Sequence, residues 1–397
     1  MTLSVPVTDD IHWVGVNDYE THLFEAVWPL PRGVSYNSYL IDDEKVALSD
    51  GVKDAFAAEQ LERIRGIIGD RPIDYLIVNH MEPDHSGTVR MLREVYPDIQ
   101  IVGNQKTAGF LEQFYGITDG VKTIADGDEL DLGKHKLQFF LTPMVHWPET
   151  MVTFDKTDGV LFSADAFGGF AALDDGIFDD EVDLAYYEDE ILRYFSNIVG
   201  KYAKPVIKAI DKLQSLDIRV VAPTHGPVWR SNPGEIVKKY AYWSRQETEP
   251  GVVLAFGSMY GSTGKMAEAV GRALADAGVG NVRVHNVSRT HPSYIIRDTW
   301  RYSGLIIGAP TYNTGLFPPM DSLLRDLEIL KMSGRHIGVF GSYGWSGGGV
   351  KQMRQFAEEG GQWDLIEPVV EANCTPNEDD LARCGELGRK MAEAVKS

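Results

Sequence analysis

Apolar residues fall in short runs through the first 240 or so positions and settle into a regular alternation of strand and helix patterns after that. Strand-like runs are expected at Ile11–Val16, Ser38–Ile41, Val46–Ser49, Tyr75–Val78, Ile101–Gly103, Leu137–Leu141, Met151–Phe154 and Val160–Ser163. Helical spacing covers Ala55–Ile68, Thr88–Val95 and Thr107–Phe114, and Asp42-Asp43-Glu44 and Thr157-Asp158-Gly159 read as hairpin turns. This is the pattern of a mixed α/β layered domain. The polar run Ser244-Arg245-Gln246-Glu247-Thr248-Glu249-Pro250-Gly251 interrupts it and reads as a short linker. Beyond it, strands at Val252–Phe256, Val282–His285, Gly304–Ile307, Ile337–Phe340 and Leu365–Val370 alternate with helices at Lys265–Ala277, Ser293–Trp300, Met320–Leu330, Gly348–Glu359 and Glu378–Val395. Successive βα units predict a doubly wound parallel sheet. The expected domains are residues 1–248 and 251–397.

Composition narrows the partners. The 397 residues carry 58 acidic against 38 basic side chains, a formal net charge of −20, which speaks against nucleic acid and against an anionic membrane surface. Small molecules, or proteins with local basic patches, fit better. Cys374 and Cys384 are the only cysteines, too few for a cysteine-built zinc or iron–sulfur site, and their scarcity suits a reducing cytoplasm. With no signal-peptide pattern at Met1 to Ile11 and no run of eighteen apolar residues, a soluble cytoplasmic protein is expected.

The densest chemistry is His80-Met81-Glu82-Pro83-Asp84-His85, which places four metal-type ligands straight after an apolar strand-like stretch. His80, Glu82 and Asp84 alternate at extended-chain spacing and are expected to share one side, with Pro83 stiffening the bend and His85 facing a second metal. Hydrolytic zinc sites built on such a run usually have histidine at the place of Glu82; a carboxylate oxygen favours iron or manganese. Three more candidates follow apolar runs at loop positions: His146, Asp165 and His225. Together these residues offer four imidazoles and three carboxylates, enough for two metals sharing a bridge. Two ferrous ions bring +4, and three carboxylates with one hydroxide bring −4, a neutral balance that suits burial.

A second constellation lies in the later domain. The strand at Val252–Phe256 runs into Ser258-Met259-Tyr260-Gly261-Ser262-Thr263-Gly264 and then a helix, so hydroxyls and amides converge on an anion at a helix N-terminus. Gly264-Lys265 lacks the rest of a Walker loop, and no Gly-x-Gly-x-x-Gly fingerprint is present. Two further loops after strands, Pro310-Thr311-Tyr312-Asn313-Thr314-Gly315 and Ser342-Tyr343-Gly344-Trp345-Ser346-Gly347-Gly348, add aromatic faces and amides suited to a flat isoalloxazine ring.

The spacing His-x-Glu-x-Asp-His, followed by His146, Asp165 and His225, resembles the flavodiiron proteins, or A-type flavoproteins, and all three later loops resemble flavodoxin FMN loops. The resemblance covers the whole chain. It implies an N-terminal metallo-β-lactamase-like αβ/βα sandwich and a C-terminal flavodoxin-like sheet that binds FMN. One iron would be held by His80, Glu82 and His146, the other by Asp84, His85 and His225, with Asp165 bridging; in some members the residue matching His85 gives way to water. His22 and Tyr194 resemble hydrogen-bond donors beside that centre. The implied activity is reduction of dioxygen to water, which takes four electrons, or of nitric oxide to nitrous oxide, which takes two. Electrons would come through FMN from an external donor, rubredoxin or a reduced deazaflavin. The resemblance further implies a head-to-tail homodimer or a dimer of dimers, with Glu82, Trp147 and Trp345 near the junction. Two rival readings are a metal-dependent hydrolase of the thioesterase or lactonase type fused to a flavodoxin, and a non-catalytic flavin electron carrier.

Overall fold

A computed structural model describes residues 3–174, 176–359 and 362–396 and divides the chain into two compact units, Met1–Ser244 and Arg245–Ser397. The first unit is built on two sheets. One has seven strands in the order Val5–Pro6, Ile11–Trp13, Tyr39–Ile41, Ala47–Ser49, Tyr75–Ile77, Gln100–Gly103 and Val121–Thr123; the other has five, Glu129–Asp131, Lys136–Leu141, Met151–Asp155, Val160–Phe162 and Val220–Ala222. Each sheet starts antiparallel and ends parallel. Leu48, Leu76 and Ile101 of the first sheet pack with Ile64 and Ile68 of the helix Ala57–Ile68 and Leu92 of the helix Val89–Val95. Toward the second sheet, the rings of Tyr39 and Phe162 meet with centroids 5.5 Å apart. Burial on both faces explains why these strands are short continuous apolar runs and not alternating ones.

Strand register fixes where the chemistry falls. Phe162 pairs with Ala222 in parallel, so Asp165 and His225, each three residues further on, leave the same edge of the sheet. Leu141 pairs with Met151 and Thr153 with Phe162, which brings the loop carrying His146 to that edge as well.

The second unit is one parallel sheet in the order Val282–Asn286, Glu249–Phe256, Tyr302–Tyr312, Ser333–Tyr343 and Gln362–Asn373, with the short strand Gly315–Leu316 turned back on the third. The order 2-1-3-4-5 puts a switch point between the first and third strands in sequence, where ligands of such sheets bind. Val252, Leu254, Ile306 and Phe340 pack against Met266 and Val270 of the helix Ser262–Asp276 and Leu387 and Met391 of the helix Glu378–Ala394.

Several local expectations change. Glu249-Pro250-Gly251, read as linker, already belongs to a strand, and Ser244 still belongs to the helix Pro233–Ser244. The helix Leu184–Tyr194 carries no clean apolar stripe because its buried face includes Glu190 and Arg193, paired at 2.6 Å. Pro205 masks the start of the helix Ala203–Leu213, yet it sits in the first turn, where its missing N–H costs nothing. Among the described residues no helix is long and apolar enough to cross a membrane.

Candidate metal centre

The six-residue ligand run is not extended. The strand ends at Ile77, Glu82 keeps extended backbone, and Pro83–Ser86 is a single helical turn with proline at its start. The helical turn rotates Asp84 and His85 away from His80 and Glu82, so the expected shared side of His80, Glu82 and Asp84 does not form. The ligand-type atoms instead fall into two groups, His80, Glu82, His146 and Asp165, and Asp84, His85 and His225.

Within the first group, Glu82 Oε2 lies 3.3 Å from His80 Nε2 and 3.1 Å from His146 Nε2, while Asp165 Oδ2 lies 3.4 Å and 2.9 Å from the same nitrogens. In the second, Asp84 Oδ1 is 3.3 Å from His85 Nε2 and Asp84 Oδ2 is 3.3 Å from His225 Nε2. The other oxygen of Asp165, Oδ1, is 2.9 Å from His85 Nε2 and 3.7 Å from His225 Nε2. One carboxylate thus presents one oxygen to each group. Two donors bound to one ion at about 2.1 Å, with angles of 90–110°, stand about 3.0–3.4 Å apart, which is the spacing seen here.

The chemistry of the donors fits a cation too. Both oxygens of Asp84, both ring nitrogens of His85 and His225 Nε2 are buried without a hydrogen-bond partner, a costly state unless something else satisfies them. Burial alone would lower the pKa of His80, but the charge of Asp165 and the hydrogen bonds of Glu149 and Glu82 outweigh it and raise the group well above its ordinary value. His85 is likewise pushed up to about 9: burial opposes protonation, and Asp84 and Asp165 overcome it. This is a pocket of strongly negative potential.

Groups outside the ligand run orient it. Glu149 Oε1 accepts a hydrogen bond of 2.8 Å from His80 Nδ1 and another of 2.9 Å from the Met81 amide. A carboxylate here requires N–H at Nδ1, which leaves the Nε2 lone pair facing the group. Ser35 does the same for His225, its carbonyl accepting from Nδ1 at 2.7 Å. Thr224 Oγ1 donates to Asp165 Oδ1 at 2.6 Å. None of these three was singled out in the sequence, although Glu149 stands three positions after His146 and so was within reach of a spacing argument.

Tyr194 is fully buried, its ring centroid 5.5 Å from that of His225 and its hydroxyl without a hydrogen-bond partner. His22 is not brought to the site. It precedes the hairpin strand Leu23–Phe24 and is exposed, and its backbone carbonyl accepts from the Leu30 amide. The inward side chain of that hairpin is Phe24, with its ring 5.4 Å from His225. A cavity of about 590 Å³ opens here and reaches Phe24, Glu25, Tyr36, Lys53, Glu82 and Asp84.

In the second unit, a cleft of about 390 Å³ is lined by Ser258, Met259, Tyr260, Ser262 and Thr263, by Pro310, Thr311, Tyr312 and Asn313, and by Ser342, Tyr343, Gly344 and Trp345. Cys374 and Thr375 complete it from a loop the sequence did not flag. Gly261, Thr314, Gly315, Ser346, Gly347 and Gly348 stand outside its lining. Gly261, at φ +94°, is the N-cap of the helix Ser262–Asp276 and has no side chain to cap it; Ser258 Oγ accepts from the amides of Gly261 and Gly264 at 3.1 Å and 3.3 Å, which leaves those of Ser262 and Thr263 to an anion. Gly348 allows two loops to touch: at φ +152°, a Cβ there would lie 2.2 Å from the Thr314 carbonyl oxygen.

Comparison with known proteins agrees with this architecture. The ODP family of β-lactamase domains matches residues 34–226, and the flavodoxin family matches residues 254–388. A nitric oxide reductase of Moorella thermoacetica is 34% identical over 399 residues, covering 100% of both chains. The anaerobic nitric oxide reductase flavorubredoxin of Vibrio vulnificus is 33% identical over 99% of this chain and 81% of its own. Among solved structures, the rubredoxin oxygen:oxidoreductase of Desulfovibrio gigas superposes with a TM-score of 0.94 at 30% identity, covering 99% of this chain and 98% of that one. The flavodiiron protein of Giardia intestinalis gives 0.95 at 26%, covering 100% and 97%. Two sheets presenting paired ligand groups at one edge, a separate parallel sheet with a cleft lined by the loops after its strands, and full-length similarity lead to one assignment: the chain belongs to the flavodiiron protein family.

Proposed function

We propose that this protein reduces a diatomic oxidant, dioxygen or nitric oxide, at a pair of irons, with FMN in the cleft of the second unit relaying electrons. The observation that carries this reading is Asp165, whose two oxygens face two ligand groups whose donors are spaced as a metal polyhedron requires. His80, Glu82 and His146 would hold one iron and Asp84, His85 and His225 the other, with Asp165 between them. When bound, two ferrous ions supply two electrons and adjacent coordination positions, and FMN supplies two electrons more.

The chain's own residues set the conditions for that chemistry. Glu149 and Ser35 fix the tautomers of His80 and His225, so each offers a lone pair without reorganising. Phe24, Phe170 and Tyr194 form an aromatic wall beside His225 that keeps bulk water from this side. The free hydroxyl of Tyr194 is placed to donate a proton within the site. In the second unit, the amides of Ser262 and Thr263 at the start of the helix Ser262–Asp276 would take the FMN phosphate, with Tyr312 and Trp345 at hand to cover the ring. A donor of the rubredoxin or reduced-deazaflavin class would recharge the flavin. Head-to-tail pairing of two chains would bring one protomer's flavin to its partner's metals.

The test is anaerobic photoreduction of the purified protein followed by parallel measurement of oxygen and nitric oxide consumption, with metal and flavin analysis of the same sample. About two irons and one FMN per chain with rapid consumption of either gas is the expected result. Zinc in place of iron, or no consumption of either gas with both cofactors present, would overturn the reading.

A further inference from the structure

The turn of residues 132–135 joins the strands Glu129–Asp131 and Lys136–Leu141 of the five-stranded sheet and docks on the seven-stranded one. The Asp43 carboxylate accepts from the amides of Lys134 and His135 at 3.1 Å and 2.7 Å, and the Leu132 carbonyl accepts from the Lys45 amide at 3.0 Å. Anchored in this way, the His135 side chain is fully buried and faces Asp155 at the end of the strand Met151–Asp155. Leu137 pairs with Asp155 and Leu141 with Met151, so this place lies at the opposite end of that strand pair from the loop carrying His146.

His135 Nδ1 is 3.2 Å from Asp155 Oδ2 and Nε2 is 3.5 Å from Asp10 Oδ2, yet neither ring nitrogen makes a hydrogen bond. A fully buried imidazole in that state is costly unless something else satisfies it. Asp155 is fully buried too, its carboxylate fixed by the amides of Thr157 and Asp158, from which it accepts at 3.3 Å and 2.9 Å. Asp158 brings a third ligand-type atom: one from each of His135, Asp155 and Asp158 lies within 4.8 Å of the others. Donors at about 2.1 Å from one ion stand up to about 4.2 Å apart, so a shared cation asks only a small adjustment of the half-buried Asp158. The charges agree. Asp10 is already paired with the ammonium of Lys134, whereas Asp155 and Asp158 together bring a charge that one divalent ion neutralises and one imidazolium does not.

We propose that His135, Asp155 and Asp158 form a further binding site, separate from the paired ligand groups, for one divalent transition-metal ion. One imidazole with two carboxylates suits Mn(II), Fe(II) or Zn(II). With the Nε2 proton facing Asp10, the Nδ1 lone pair is left to the ion. His135 is tied to the first sheet through Asp43, and Asp155 belongs to the second, so the ion braces the contact between the two. In the metal-free protein a proton on the ring takes the cation's place beside Asp155.

The experiment is anaerobic titration of the purified protein with Mn(II), followed by the electron paramagnetic resonance signal of the free ion and by melting temperature, for wild type, Asp158→Asn and His135→Gln. Mn(II) binds nitrogen and oxygen donors more weakly than Fe(II) does, so it leaves iron in the paired groups undisturbed. Any Mn(II) those groups do take up is common to all three proteins, and the difference between them counts this site alone. Wild type is expected to bind one Mn(II) per chain that the variants lack, and to melt higher as it does, because the ion binds the folded state. Asp158→Asn and His135→Gln should each weaken that binding by about 10-fold or more and lose the corresponding rise in melting temperature. Asp158 is half-buried in a turn, so Asp158→Asn carries the test even if His135→Gln fails to fold. Mn(II) uptake and melting shifts equal to wild type in Asp158→Asn, or no uptake by wild type, would overturn the proposal and leave only an imidazolium–carboxylate pair.

Discussion

Replacing Glu149 tests how far the metal site depends on a residue that touches no metal. Its Oε1 accepts from His80 Nδ1 and from the Met81 amide, its backbone carbonyl accepts from Asn104, and its side chain is fully buried. Glu149→Ala strands two buried donors at about 1–3 kcal/mol each, a loss of about 2–6 kcal/mol in the metal-free protein that denaturant unfolding would read. Glu149→Gln keeps an oxygen at the same distance, so folding should be nearly spared. What glutamine loses is the charge that makes His80 a strong donor. Iron affinity should fall about 10- to 100-fold, or about 1.4–2.8 kcal/mol, measured by competition with a chromogenic chelator under anaerobic conditions. Wild-type iron affinity in Glu149→Gln would show that His80 is oriented by packing alone and refute the tautomer argument.

Tyr194→Phe removes a buried hydroxyl with no partner, so the metal-free protein should gain about 1 kcal/mol of stability while gas consumption falls by about tenfold or more; unchanged turnover would take Tyr194 out of the proton path. Gly348→Ala drives a Cβ to 2.2 Å from the Thr314 carbonyl and should weaken FMN binding by about 5- to 150-fold, the equivalent of about 1–3 kcal/mol of strain, followed by flavin fluorescence. His135 is buried at 3.2 Å from Asp155; burial lowers its pKa, but the nearby carboxylate of Asp155, helped by Asp10, raises it overall. A raised folded pKa means that this pairing stabilises fully below about pH 6.5 and is lost as pH climbs through the folded value. The stability gap between wild type and His135→Gln should therefore shrink as pH rises from 6 to 9, and a gap that widened would reverse the assignment.

The later unit was largely legible because each of its βα units carries its own local signals, a buried strand, a turn and an amphipathic helix. The order of its strands was not, since pairing joins segments such as Glu249–Phe256 and Tyr302–Tyr312 that lie far apart in the chain. In the first unit the helix Leu184–Tyr194 escaped because the buried Glu190–Arg193 pair breaks its apolar stripe. At the site, His22 was expected from the resemblance alone, as a hydrogen-bond donor beside the metals. The hairpin turned Phe24 inward instead, an outcome set by strand pairing and not by residue type.

By itself the sequence determined which atoms are available: the imidazoles and carboxylates of the metal groups, the hydroxyls and aromatic rings of the flavin loops, and their placement just after strands. These follow from residue type and short-range periodicity, which act within a few positions of the chain. Only the tertiary structure decided how the atoms are shared out. The single helical turn at Pro83–Ser86 separates Asp84 and His85 from His80 and Glu82, and parallel register carries Asp165 and His225 to one edge. Glu149 and Ser35 reach across 69 and 190 positions to set the ring tautomers. Contacts over such separations depend on the packing of whole sheets, and no local pattern encodes them.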